Sequence, residues 1–212
     1  MFSCFCEALA GRAAPETATA PSALEAVGPD SKFSLPKRRR GALVATLSRR
    51  LVSEPWGLSI ETHPEGAFVA SVEGGGAGPA AEYNGQAKEA DRIAAGLHVL
   101  AVDAVAEPED MAEYMAAATR MTLTLMPPRV FVQTLKRNRR VLGMHLAPTS
   151  GGSALGIVSI NRGSVVEESG ADVAVGDLIF LVNGRSGKAN DFIAEIVAHD
   201  EVVLTLSRCP EM

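Results

Sequence analysis

One pattern of short apolar segments occurs twice in this 212-residue chain, and this repeat limits the possible folds most strongly. In each copy a glycine between two apolar residues opens a strand, at Gly57 and Gly143, and a second glycine precedes a buried strand, at Gly96 and Gly176. The copies are offset by 86 residues at the first glycine and by 80 at the second. A period of this length is typical of a small domain and too long for one unit of a solenoid. The sequence therefore predicts two similar small domains.

The repeat also sets the expected domain boundaries. Residues 1–41 are rich in Ala, Pro, Ser and Thr, a composition typical of a disordered tail. We expect the first domain over residues 42–127 and the second over residues 129–209, with Pro127-Pro128 as a short, stiff linker. The first copy has six extra residues between its two motif glycines, and we expect them to form a loop near residues 86–91.

Hydrophobic periodicity predicts the same order of elements in both copies, β-β-β-α-β-α-β. Short alternating runs indicate strands, and apolar residues at three- and four-residue spacing indicate a longer helix near the end of each copy. The expected helices are a single turn over Ala80–Tyr83, then Glu109–Thr119, Val165–Ser169 and Asp191–Ala198.

Composition excludes several functional classes. The net charge of −5 gives no basic footprint for nucleic acid, and no apolar run is long enough to span a bilayer. Three cysteines outside the repeats form no disulfide framework, which fits a reducing, cytoplasmic compartment. The histidines lack metal-ligand spacing, and no serine lies in a nucleophile elbow. The glycines around Gly76 imitate a dinucleotide fingerprint, but Pro79 and the missing long helix argue against it. We therefore expect a non-enzymatic protein without a cofactor or a metal.

Two motifs in this order resemble those of the PDZ domain. Pro55-Trp56-Gly57-Leu58 and Val141-Leu142-Gly143-Met144 match the family's Gly-Leu-Gly-Phe-like loop. Gly176–Gly184 matches its Gly-Asp, aliphatic, Val-Asn-Gly landmark, and Gly96–Ala104 is a degenerate version. The resemblance covers nearly all of Leu43–Arg208. It implies a mainly β (α+β) fold, in which two PDZ-like, partly open β-barrels, each with one short and one long helix, follow the disordered tail.

The resemblance also implies a function, the binding of C-terminal peptide tails of partner proteins. Successive backbone N–H groups at a glycine corner form a nest for an anion such as a terminal carboxylate, and the peptide adds as a strand to the neighbouring sheet edge. Apolar side chains beside the nest and on the long helix would hold the last side chain. The upstream arginines, Arg49-Arg50 and Arg139-Arg140, would attract the acidic chain end. The expected peptide-binding residues are Trp56, Gly57, Leu58, Ile60, Met111, Met115, Leu142, Gly143, Met144, Leu146, Ile193, Ile196 and Arg140.

The second copy carries the fuller motif set, so it is the better candidate for peptide binding. In the first copy Pro55 removes one N–H from the loop, and Leu97 replaces the landmark aspartate, so this copy is expected to be degenerate. Neither long helix begins with the histidine that the family uses to select Ser or Thr in the ligand. The alternative function is a structural interaction module whose domains pack on each other, or on a partner, without capturing peptides.

The N-terminal tail offers a second means of localisation. Cys4 and Cys6 are candidates for acylation, and Lys37–Arg40 would supply the electrostatic signal that stable membrane anchoring also needs. The chain would then lie peripherally at a membrane surface. The alternatives are unmodified thiols for the cysteines, and a solvated charge run or a nuclear address for the basic cluster. Phe2 after the initiator Met excludes N-myristoylation, and Cys209 four residues from the end only weakly resembles a prenylation box.

Overall fold

A computed structural model describes residues 41–73 and 78–210. They form two units, each containing one five-stranded antiparallel sheet. The strands of each unit, counted along the chain, lie in the same spatial order, first-fifth-fourth-third-second, as the sequence repeat predicts. The predicted class, mainly β with two similar units that each carry a short and a long helix, is confirmed.

The first unit extends from residue 43 to residue 126. Its strands are β1 (Leu43–Ser48), β2 (Leu58–His63), β3 (Gly66–Val72), β4 (His98–Val102) and β5 (Arg120–Met126). Its helices are α1 (Pro79–Gln86), a 3₁₀ turn (Glu89–Asp91) and α2 (Pro108–Ala117).

The second unit begins after the two linker prolines and repeats this order without the 3₁₀ turn. Its strands are β6 (Arg129–Lys136), β7 (Met144–Pro148), β8 (Leu155–Ile160), β9 (Leu178–Val182) and β10 (Glu201–Arg208). Its helices are α3 (Val165–Glu168) and α4 (Ala189–Ala198). None of the helices in the described part of the chain is long and apolar enough to cross a membrane.

The region of the extra residues differs from the prediction. Helix α1 continues to Gln86 instead of ending after one turn at Tyr83, and part of the insertion forms the 3₁₀ turn. Pro79 begins the helix, where its missing N–H costs nothing. The Asn84 side chain then holds the insertion by donating to Ile93 O (2.9 Å) and accepting from Ile93 N–H (2.7 Å). The helix propensity of the insertion was not recognised from the sequence.

The landmark at the end of the fourth strand has a clear structural role. Asp103 and Asn183 adopt positive φ values of 53° and 52°. This conformation favours Asn and Asp among non-glycine residues. Their side-chain oxygens accept from the N–H groups of Thr122 and Val203, both at 2.9 Å. The Asn or Asp at this position therefore fixes the turn after the fourth strand to the last strand of each unit.

An arginine caps the long helix in both units. The Arg49 guanidinium donates to the carbonyls of Met115 (3.0 Å) and Ala116 (2.7 Å) at the end of α2. Arg137 donates in the same way to Ile196 O (3.0 Å) and Val197 O (2.9 Å) at the end of α4. The last carbonyls of a helix lack partners within the helix, and a cation there also interacts favourably with the helix dipole.

The two units pack through one face of each sheet. Register places Glu61, Phe68 and His98 in one row across β2, β3 and β4. Opposite them is a buried apolar cluster in which Phe68 packs with Ala154, Leu178 and Phe180. Several polar contacts also cross this interface, among them the one between His98 Nε2 and Ser207 Oγ at 2.9 Å, where both residues are buried. The linker therefore joins two units that share a packed interface.

Candidate peptide-binding grooves

Each unit has an edge strand that starts at a glycine corner. Strand β2 lies at the edge of the first sheet and β7 at the edge of the second. Gly57 directly precedes β2 and Gly143 directly precedes β7, with φ values of 74° and 78°. An edge strand presents unpaired N–H and C=O groups along its outer side, to which an extended peptide can add as a further strand.

The corner of the second unit has its carbonyls held and its amides free. Leu142 O accepts from Val166 N–H (3.2 Å), and Gly143 O accepts from Asn161 N–H (2.8 Å). Within residues 41–73 and 78–210, the N–H groups of Leu142 and Gly143 have no hydrogen-bond partner. In a trans peptide an N–H points away from the carbonyl of the preceding residue, so the held Leu142 carbonyl directs the Gly143 N–H to the opposite side, as an anion nest requires.

The corner of the first unit repeats this arrangement in a more closed form. Trp56 O accepts from Ala80 N–H (3.0 Å), and Gly57 O accepts from Glu73 N–H (2.9 Å). Gly57 is buried, however, whereas Gly143 is only half-buried. The Gly78 backbone packs against this corner, since a Cβ there would lie in ordinary van der Waals contact, 3.5 Å, with the Gly57 N atom. Together with the missing N–H of Pro55, this makes the first corner the poorer anion site.

The predicted apolar walls of the second groove lie between β7 and α4. Met144, Leu146 and Ile193 are half-buried and pack against the core of the unit. Leu142 and Ile196 are only 6% and 8% exposed, so they lie beneath the groove and offer a ligand little surface. These residues place an apolar surface directly beside the free amides of Leu142 and Gly143.

The first groove has the same plan, with a tryptophan at the corner. Leu58, Ile60 and Met115 are half-buried against the core. The Trp56 ring is buried, its Nε1–H donates to Met115 O (2.9 Å), and the Arg49 guanidinium lies 4.4 Å from the ring centroid. Met111 is 1% exposed and belongs to the core, so Met115 is the methionine of α2 with free surface.

A cleft of about 400 Å³ adjoins the second corner. Its lining residues are Arg140, Val141, Gly143, Asn161, Arg162, Gly163 and Ser164. Sequence reasoning missed the side formed by residues 161–164. The sequence does contain an indication of this side, because Gly163-Ser164 precedes an apolar pair, a pattern typical of a helix N-terminus. In the structure Ser164 caps α3 by accepting from Glu167 N–H (3.3 Å).

The charged groups around this cleft are largely paired. Arg140 donates to both oxygens of Glu168 (2.6 and 3.1 Å) and to Gly163 O (2.9 Å). The Arg140 guanidinium lowers the pKa of Glu168, because its hydrogen bond favours the ionised carboxylate. Arg162 is exposed and has neither ion pair nor hydrogen bond within the described residues. Arg162 is therefore the better placed cation for attracting an acidic chain end.

Of the arginines upstream of the two glycine corners, Arg140 lies beside its corner and Arg49 is used to cap a helix. Arg140 lies beside the predicted corner, although paired. Arg49 was expected to attract ligands in the first unit, but its guanidinium caps α2 and stacks on Trp56 instead. No local sequence pattern indicates this contact, because the helix end lies 66 residues further along the chain.

Two further expectations concern other parts of the chain. Cys4 and Cys6, the acylation candidates, and the cluster Lys37–Arg40 lie outside the described residues. No group of three or more His, Cys, Asp or Glu residues suited to a metal occurs in the described ranges.

Comparison with known proteins gives two results. No family model matches the chain, and no curated protein matches it. Among solved structures, INAD PDZ45 in complex with NG2 peptide is 14% identical, with a TM-score of 0.35, covering 85% of this chain and 96% of that chain. The complex of INAD PDZ45 and NORPA CC-PBM is 15% identical, with a TM-score of 0.37, covering 85% and 97%. Identity and TM-score are both too low to transfer a function to this chain.

Proposed function

We propose that this protein is a non-enzymatic adaptor that holds the C-terminal tails of other proteins, chiefly in its second unit. The observation that carries the proposal is the corner at Gly143. Two amides there lack partners within residues 41–73 and 78–210, beside an apolar groove and at the start of an edge strand. A terminal carboxylate supplies the acceptor, the last side chain fills the groove, and the preceding residues pair with β7.

The first unit is proposed as a weaker second site. Its corner has the same plan but is buried, and Pro55 supplies no N–H. A partner with two suitable tails would still gain avidity, because the inter-unit packing and the two-residue linker fix the spacing of the grooves.

A structural role without peptide capture is the second candidate function. The shared interface around Phe68, Leu178 and Phe180 favours it, since the units already pack on one another. A library of peptides with free and with amidated C-termini separates the two functions. The adaptor binds free tails and loses them on amidation, whereas the structural module binds neither.

A glycine substitution tests the corner itself. Gly143→Ala places a Cβ 2.3 Å from Ser164 Cβ at a φ of 78°, so the loop must move and the amides lose their alignment. We expect tail affinity to fall by about tenfold or more, measured by calorimetry, since at least one charge-assisted hydrogen bond is lost.

Gly170→Ala is the matched control, because Gly170 has a φ of 64° and open space where its Cβ would lie. It imposes a similar backbone strain away from the groove. We expect its tail affinity to stay within about twofold of that of the original chain, as it removes no contact. Unchanged affinity in Gly143→Ala would show that the corner is not the site.

We also propose that the protein acts in the cytoplasm, held at a membrane surface by acylation of Cys4 and Cys6. Two acyl chains with the basic cluster Lys37–Arg40 satisfy the requirement for more than one anchoring signal. Acyl exchange on the original chain and on Cys4→Ser/Cys6→Ser tests this. Equal labelling of the two chains would contradict it.

A further inference from the structure

We propose that the loop between β7 and β8, residues 149–154, limits the first groove to short tails by occupying its sheet edge at Thr62. The inference rests on the proposed function, since it concerns which tails the first groove accepts. The second unit would thereby set the length specificity of the first.

The contact uses both main-chain groups of one edge residue. Thr62 N–H donates to Ser150 Oγ (3.0 Å), and Ser150 N–H donates to Thr62 O (2.9 Å). These are the two groups that an added peptide strand would use at this position. Ser150 therefore stands where a ligand residue would pair.

The position of Thr62 gives the length limit. Backbone groups of alternate residues in an antiparallel edge strand point to the same side. Because Thr62 faces outward, Ile60 and Leu58 present their groups to the same side. A tail with its carboxylate at the Gly57 corner runs antiparallel to β2, with its last residue beside Leu58 and its third-last beside Ile60. Ser150 then takes the place of the fifth-last residue, which leaves room for about four residues.

The loop is anchored beneath this contact. The buried Glu61 carboxylate accepts from the Thr149 hydroxyl and from Ser153 N–H (3.1 Å). A Cβ at Gly151 would lie 2.4 Å from Glu61 Oε1, so the loop closes on Glu61 only because residue 151 is glycine. A longer tail must displace this anchored loop or turn away from the sheet.

The second unit ends its open edge at the equivalent position by another means. Pro148, the fifth residue of β7, is exposed and has no N–H to donate. In the second unit, a residue of the edge strand itself limits the length of the bound tail. In the first unit, a loop of the other unit limits it, so a substitution in that loop can remove the limit.

Trp56, the single tryptophan of the chain, lies at the first corner and reports binding there by fluorescence. The probes are Val-Thr-Val-Leu and an eight-residue peptide with Ser-Thr-Ser-Thr before the same four residues, both with free carboxylates. The variants are Ser150→Pro, which removes both hydrogen bonds, and Ser150→Ala, which removes only the acceptor. Ser153→Ala is the control, because its exposed side chain makes no hydrogen bond with any residue that the structure describes, and its N–H remains.

In the full chain we expect both probes to bind the first unit within about twofold of each other. Ser150→Pro should tighten binding of the longer probe by about fivefold or more, as two further backbone hydrogen bonds become available, and leave the shorter probe unchanged. Ser150→Ala should give a smaller gain and Ser153→Ala none. Slow hydrogen exchange at the Thr62 amide, lost in Ser150→Pro, verifies that the contact was removed in a folded chain.

The proposal is overturned if neither Ser150 variant binds the longer probe more tightly than the original chain does. It is also overturned if the first unit binds no probe. Failure of the proposed function is seen separately, as loss of all binding of free tails in the second unit, monitored by calorimetry on the same chains.

Discussion

Replacing Arg208 by methionine is expected to destabilise the second unit by about 3 to 5 kcal/mol, since it leaves a buried carboxylate without its counter-ion. Asp177 is fully buried and accepts two hydrogen bonds from the Arg208 guanidinium, at 2.6 and 2.8 Å. Its third partner is Ala174 N–H (2.8 Å), which cannot neutralise the charge. The measurement is urea unfolding followed by far-UV circular dichroism, with Trp56 fluorescence reporting the first unit separately.

Arg129→Met is the matched control for this prediction. Arg129 and Arg208 lie over the same Phe131 ring, each 5.0 Å from its centroid. Among residues 41–73 and 78–210, Arg129 forms an ion pair only with the exposed Asp172, so its loss should cost about 1 kcal/mol or less. Equal destabilisation by the two substitutions would mean that the buried pair is not what stabilises the unit. The double variant Asp177→Leu/Arg208→Met should recover much of the loss, because no unpaired charge remains.

Acidification is expected to weaken the packing of the two units through buried histidines. Burial lowers the pKa of His98 to about 4, with a smaller contribution from the nearby His63. Burial likewise lowers the pKa of His63, whose two ring nitrogens are buried and have no hydrogen-bond partner among the described residues. Both rings are therefore neutral in the packed state, and His98 meets Ser207 across the interface.

The direction of this pH dependence follows from the linkage between proton binding and the packing of the two units. A histidine released from the interface regains a pKa near its usual value of 6.5, so the open state binds more protons between that pH and about 4. The contribution of the neutral histidine to the free energy of unfolding is therefore fully present above pH 6.5, and it is lost as the pH decreases toward 4. His98 alone accounts for about 3 kcal/mol over this range, at about 1.4 kcal/mol for each pKa unit.

Urea unfolding at several pH values between about 7.5 and 4.5 measures this slope. His98→Leu/Ser207→Ala removes the titrating ring together with its buried partner, so it should flatten the dependence. Glu61 lies on the same face and is unchanged between the two chains, so a difference in slope reports the replaced pair. An identical slope in the two chains would contradict the assignment to His98.

The repeat and its alternating strands predicted most of the fold because these signals are local. The sequence of strand β9 also contains a local indication of the packing between the units. All five of its residues are buried, and such a continuous apolar run indicates burial on both faces. Leu178 and Phe180 indeed face the other unit, while their neighbours face the core.

The contacts that sequence reasoning missed depend on residues far apart in the chain. Arg49 reaches the end of α2, and Ser150 reaches the edge of β2, 88 positions away. His63 and His98 resemble surface strand residues until the second unit covers them. Long-range packing of this kind leaves no periodic signal in a single sequence, so the state of each groove edge could be read only from the structure.

The most direct measurement of carboxylate capture is a pair of amide NMR spectra of the full chain. One is recorded with a bound free-carboxylate tail and the other with the same tail amidated. We predict that the amide signals of Leu142 and Gly143 shift strongly with the free tail and stay in place with the amidated one. Equal shifts with both tails, or a tail that binds while both signals stay in place, would contradict carboxylate capture at this corner.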